Sequence, residues 1–173
     1  MQRYRSTLVM MAGLPGTGKT TLAYALGQEL GWQVIDKDKY KEVLMKQGFD
    51  DDRAGKVAYE LSFEMTRTLL IKRHIPVILD TAALHHFILD EVREIVRSID
   101  EAQLKVVFCV ADRHLRNDRL RNRLDQPTSI RVDPDTISDY LRYFDHLPDD
   151  KLIIYTNVLF KQYLARVKAY VTS

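Results

Sequence analysis

The sequence predicts an α/β protein in which a parallel sheet carries helices on both faces, and three observations lead there. Five short apolar runs, TLVMMA, WQVID, IPVILD, LKVVFCV and KLIIY, are continuous rather than alternating in hydrophobicity, as strands buried on both faces are. Longer amphipathic stretches separate them, and that alternation builds right-handed crossovers with ligands at the carboxyl ends of the strands. The first run ends abruptly in GLPGTGKTT, residues 13 to 21, through which no buried strand can continue. A length of 173 residues, 46% hydrophobic and 29% charged, suits one compact domain over 1–173 with no repeat, linker or low-complexity segment.

TLVMMA is the first strand, and the chain then wraps a glycine turn into a helix starting near Lys19, with Leu22, Leu26 and Leu30 as its stripe and Gly31 as its stop. WQVID, the second strand, runs into Asp36-Lys37-Asp38-Lys39-Tyr40-Lys41, read as an extended exit with Asp36 and Asp38 on one side. The 49–66 helix has Ala54, Val57, Ala58, Leu61, Met65 and Leu69 inward, and His74 in KRHIP marks a turn. IPVILD ends in Asp80-Thr81, and Ile88, Val92, Ile95, Val96 and Ile99 define the next helix. LKVVFCV contains Cys109, the single cysteine, which reads as an inert core thiol and points to a reducing compartment. An arginine-rich helix and the segment DQPTSIRVD follow, a flap over residues 112–132. Asp133 and Pro134 open a helix with Ile137, Leu141 and Phe144 inward until Pro148, and KLIIY leads into YTNV.

The spacing of Gly13, Gly18, Lys19 and Thr20 is that of a phosphate-binding loop, G-x-x-x-x-G-K-[ST]. Backbone amides at a helix start attract an anion, the lysine reaches outer phosphates, and the hydroxyl holds Mg²⁺. Gly13, Gly16 and Gly18 permit angles that a Cβ would block, and Pro15 stiffens the turn. With Thr17 and Thr21 these residues form the candidate ATP-binding set. Thr20 and Asp80 form the candidate Mg²⁺ set, Asp80 acting through the metal's waters or the Thr20 hydroxyl.

Phosphoryl transfer needs cations along the transferring group and a carboxylate to orient the attacking hydroxyl. Asp36 or Asp38 can supply that carboxylate beside the loop; the alternative for either is a helix cap or a solvated charge. In the run from Arg113 to Arg123, helical geometry puts Arg116, Arg119 and Arg123 on one face and turns Arg121 away. Three guanidiniums on one face repel unless an anion lies opposite, and a triphosphate is the obvious one; a solvated basic face is the alternative.

In order and spacing, GLPGTGKTTLA, VIDKDKYKEVL, VILDTAAL and DRLRNR resemble the small P-loop kinases, a group that includes the polynucleotide 5′-kinase domain, zeta-toxin-like kinases, chloramphenicol phosphotransferase and gluconate kinase. The resemblance covers most of the chain and implies a three-layer P-loop NTPase fold with sheet order 2-3-1-4-5 and a lid carrying Arg119 and Arg123. It also implies Asp38 as the catalytic base, with Lys19, Arg119 and Arg123 beside it, and Lys41 with Asp36 and Asp38 as acceptor contacts. Lys41 stands where the polynucleotide kinases carry arginine, and Ala82-Ala83 where many carry Thr-Asn. YTNV lies where such folds hold the base, through Thr156 and Asn157.

The implied function is ATP- and Mg²⁺-dependent phosphorylation of a hydroxyl on a small molecule, with a polynucleotide 5′-hydroxyl or a non-catalytic nucleotide module as alternatives. A formal charge of +2 gives no basic excess for nucleic acid. Asp80 is followed by Thr81, not by the second carboxylate a hydrolytic ATPase uses, and no N-K-x-D guanine motif is present. His85-His86 point to different helix faces, which argues against a metal pair. The start of the chain leaves no room for a removable signal and no apolar run approaches membrane-spanning length, so the expectation is a soluble, cytoplasmic protein.

Overall fold

In the computed structural model, which describes residues 6–123 and 141–173, five parallel strands form one sheet: β1 Thr7–Ala12, β2 Gln33–Asp36, β3 Val77–Asp80, β4 Gln103–Val110 and β5 Leu152–Tyr155. Their order is β2-β3-β1-β4-β5, as the resemblance implies. Every residue of β1 is buried, since it lies mid-sheet between two helical layers. Alternation divides it: Leu8, Met10 and Ala12 join one core, Val9 and Met11 the other.

The first core is closed by α3 (Asp51–Arg67) and α4 (His86–Arg97), through Phe63, Ile88, Val92 and Ile95. The second is closed by α1 (Lys19–Leu30) and α6 (Phe160–Val171), through Leu22, Leu26, Val167 and Val171. Cys109 belongs to this second core, where burial pushes its thiol up to about 12 and leaves it inert. His74 occupies a positive-φ turn (φ 54°) ahead of β3. Among the described residues no helix is long and apolar enough to cross a membrane.

Three sequence expectations need correction. The runs read as fully buried strands include β2 and β5, which lie at the sheet edges and bury only Ile35 and Ile154, with Ile153 37% and Tyr155 59% exposed. The segment after Asp36 is a helix, α2 (Lys37–Lys46), because the Asp36 carboxylate caps it by accepting from the backbone N–H groups of Asp38 (3.1 Å) and Lys39 (3.3 Å). Asp36 and Asp38 are thus a cap and a first-turn residue, not alternate positions of an extended strand. In α3, Leu61 and Met65 are exposed (46% and 43%), while Ala54, Ala58, Ser62, Phe63 and Thr66 face inward. The polar pair can be buried because each hydroxyl donates one turn back, Ser62 to the Ala58 carbonyl and Thr66 to the Ser62 carbonyl.

Register brings the acids together: Asp36 pairs with Asp80 across β2 and β3, and Asp80 pairs with Met11, two residues before Gly13. After β4 comes α5 (Arg113–Arg123). The helix expected from Asp133 and Pro134, with Ile137, lies outside the described residues, as does the 124–132 part of the flap. Leu141–Phe144 is a 3₁₀ turn that buries Phe144 against Phe108, ring centroids 4.6 Å apart.

Candidate active site

The loop between β1 and α1 is shaped by close backbone approaches. Gly13 has φ +136°, and a Cβ there would lie 2.4 Å from the Cys109 carbonyl oxygen. Gly16 has φ +81°, and its Cβ would lie 2.8 Å from the Arg116 carbonyl oxygen. Gly18 precedes α1 in the left-handed conformation. The Gly13 N–H donates to the Ala82 carbonyl (3.1 Å), tying the loop to the turn after β3. The Thr17 hydroxyl and the Lys19 ammonium both donate to the Leu14 carbonyl, at 2.8 and 2.9 Å. Lys19 is 9% exposed, Pro15 and Thr20 are half-buried, and Thr21 faces solvent.

Asp80 is the electrostatic centre. Burial pushes its carboxyl up to about 6, against the Lys19 charge and the Thr20 hydroxyl hydrogen bond, which favour the ionised form. Among the described residues its Oδ1 is buried without a hydrogen-bond partner. A carboxyl raised in the folded state stabilises the fold only below its unfolded value of 3.8, and that contribution is lost as pH rises through about 6. Asp80→Asn is therefore expected to stabilise the nucleotide-free protein at pH 7 by up to about 3 kcal/mol, the advantage shrinking toward pH 4. Thermal melts of both proteins across that range check this, and an equal gap at every pH would contradict it.

Asp36 has little free acceptor capacity: besides capping α2 it accepts from the Tyr24 hydroxyl at 3.2 Å. Asp38, with a side chain 63% exposed, pairs with the Lys37 ammonium at 2.5 Å. Lys41 pairs with Asp51 of α3 at 2.7 Å. Lys37, Lys41 and Ala82 border a cavity of about 900 Å³ whose far wall is α3, the 49–66 segment expected there. Ala83, the next residue, is wholly buried at φ 53°, with its N–H on the Thr81 hydroxyl at 3.3 Å.

Of the arginines on the expected face, Arg116 is buried, Arg119 is half-buried, and the side chain of Arg123 lies outside the described residues; Arg121 is exposed, as helical spacing requires. Arg119 donates to the Gly16 carbonyl (3.2 Å) and to the Thr156 hydroxyl and carbonyl (both 2.9 Å). The buried Thr156 hydroxyl in turn donates to the Thr17 carbonyl at 2.8 Å. Arg119 and Thr156 thereby clamp the loop to the end of β5, while Asn157 is exposed. Arg119→Ala should lower stability by about 2 kcal/mol, about 4–8 °C in Tm, and weaken nucleotide binding. Arg121→Ala should melt within about 2 °C of the parent. Differential scanning calorimetry with and without nucleotide distinguishes them; equal losses would show that the clamp is not what Arg119 provides.

Sequence reasoning passed over Lys37, Tyr59 and Phe87, which meet at the cavity. Lys37 lies 5.0 Å above the Tyr59 ring, and Phe87 meets that ring edge-on at 5.5 Å. The one available signal was aromatic: Tyr59 and Phe63 recur at i, i+4 in α3. His85 stacks on Phe87 and His86 packs against His146 at 4.5 Å; among the described residues no three His, Cys, Asp or Glu side chains are grouped to hold a metal.

The fold has many solved relatives. A candidate kinase from Chloroflexus aurantiacus is 20% identical over 96% of each chain, with a TM-score of 0.75. A gluconokinase from Sinorhizobium meliloti is 17% identical, covering 98% of this chain and 91% of its own, with a TM-score of 0.65. The Mycobacterium tuberculosis APS kinase in complex with AMPPNP and APS is 18% identical, covering 98% and 99%, with a TM-score of 0.67. No curated protein matches the chain. Residues 8–147 match the family model described as AAA domain, and the chain therefore belongs to that family, with a P-loop NTPase fold of sheet order 2-3-1-4-5.

Proposed function

We propose that the protein is an ATP- and Mg²⁺-dependent kinase that transfers the γ-phosphoryl group to a hydroxyl of a small molecule. The observation that carries this reading is the convergence at one sheet edge of Lys19, the Thr20 hydroxyl, the buried Asp80 carboxyl and the exposed Asp38. The gluconokinase and the AMPPNP-bound APS kinase that share the fold support the phosphotransferase class.

In this reading the amides of residues 13–18 and the start of α1 bind the phosphates, and Lys19 leaves the Leu14 carbonyl for the outer ones. The residues present fit Mg²⁺: Thr20 supplies a hydroxyl, and Asp80 brings a buried oxygen that no donor among the described residues satisfies. The metal, when bound, neutralises phosphate charge. Asp38 accepts or orients the acceptor's proton, Lys41 contacts the acceptor, and α3 walls its cavity. Asp36 sets the start of α2 and so aims Asp38. Arg119 and Arg123 lie on α5; Arg119 holds the loop and, with Arg123, stabilises the charge of transfer. A reducing cytoplasm suits the lone thiol.

The test is the fate of the γ-phosphoryl group. With γ-labelled ATP, Mg²⁺ and a broad panel of alcohols, the label should move to an alcohol oxygen at a rate well above its release to water. Label found only as inorganic phosphate would make the protein a hydrolase, and tight nucleotide binding with no release at all would make it a sensor.

A further inference from the structure

Resting on the kinase reading, we infer that the acceptor is a small neutral or amine-bearing alcohol with an aromatic ring, and not a plain sugar or a phosphorylated or polyanionic compound. The charge of the acceptor cavity points there. Five carboxylates and four cations line it. Each of those cations already faces a carboxylate: Lys37 meets Asp38, and Lys41 meets Asp51 at 2.7 Å. Lys56 meets Asp52 at 2.7 Å, and Arg67 meets Glu91. Glu60 adds a further negative charge. A phosphate group entering here would have to break one of these pairs and sit among the released carboxylates, an arrangement that electrostatic complementarity disfavours. A neutral or cationic group meets no such opposition.

The aromatic groups point the same way. Tyr59 stacks on Phe63 (5.9 Å) and meets Phe87 edge-on, while His85 stacks on Phe87 at 5.8 Å. Phe87 is 50% exposed, so ring surface is open to a ligand. The Lys37 ammonium already covers the Tyr59 ring, so the ring surface left for an acceptor ring or amine is that of Phe87. A volume of about 900 Å³ is near the upper end for small-molecule sites, enough for a ringed, multi-group acceptor. Ala82 at the mouth offers no polar side chain, so specificity must come from α2, α3 and these rings.

The full chain with γ-labelled ATP and Mg²⁺ is assayed against four acceptor sets: adenosine with a phenyl-bearing amino alcohol; plain monosaccharides; sugar phosphates; and a 5′-hydroxyl oligonucleotide at low and physiological salt. The first set should give kcat/KM about tenfold or more above the others. Phe87→Ala, at an exposed position where folding is safe, should raise KM for that acceptor about tenfold and leave KM for ATP unchanged. Preference for sugar phosphates, monosaccharides or the oligonucleotide, or a Phe87→Ala variant with parental kinetics, overturns the acceptor class while leaving the kinase intact. Absence of transfer to every alcohol overturns the kinase reading, and the inference with it.

Discussion

Asp38→Asn is expected to leave MgATP affinity within about threefold and to depress phosphoryl transfer by about 10²–10⁴, the range of general acid–base catalysis. Asn keeps the shape of the side chain and its place in the first turn of α2 but cannot accept the acceptor's proton. The comparison that gives the result meaning is Asp36→Asn. Asp36 is held by two backbone N–H groups and the Tyr24 hydroxyl, so its loss weakens a helix cap, about 1 kcal/mol, and lowers turnover only through the position of α2. Thermal melting of both variants separates unfolding from inactivity. A folded Asp38→Asn protein at the parental rate, beside an inactive Asp36→Asn, would exchange the two roles.

Lys19→Met should reduce transfer by about 10³ or more and weaken ATP binding, because the charge opposite the outer phosphates disappears while the loop persists. The loop survives because the Gly13 N–H, the Thr17 hydroxyl and the Arg119–Thr156 clamp hold it without the ammonium. A second signature follows from Asp80. The Lys19 charge is the largest influence holding the Asp80 carboxyl down, so its removal raises that carboxyl further above about 6. Mg²⁺-dependent nucleotide binding, which needs the ionised form, should then require a more alkaline pH than in the parent. Titrating MgATP affinity between pH 5.5 and 8.5 reads both effects. Retention of most turnover by Lys19→Met would remove the phosphate-loop assignment.

Much of this architecture follows from local chemistry. Continuous apolar runs declared the strands, but full burial holds at β1 and β3, covered on both faces, and not at the edge strands β2 and β5, which have one neighbour each. The glycine loop declared itself because Gly13 and Gly16 occupy backbone positions where a Cβ meets a carbonyl. Helical spacing separated exposed Arg121 from Arg116 and Arg119, since a residue's angle on a helix needs no tertiary information. The α3 stripe was misassigned at Leu61 and Met65 because hydrophobicity alone hides the ability of Ser62 and Thr66 to satisfy their hydroxyls on their own helix.

The sequence by itself determined the α/β class, the phosphate loop and the set of acids at the strand ends, all properties of neighbours along the chain. Which acid caps a helix, which faces solvent and which is buried was decided only by tertiary structure. That Asp36 is held as a cap while Asp38 stays exposed beside Lys37 depends on the start of α2 and on Tyr24 from α1, and the buried Oδ1 of Asp80 depends on the register of β3 between β1 and β2. The loop clamp joins residues 103 and 139 positions apart, and the aromatic, charge-compensated cavity draws on α2, α3 and the turn after β3. Burial, desolvation and hydrogen-bond occupancy arise from groups distant in sequence, and no local pattern encodes them.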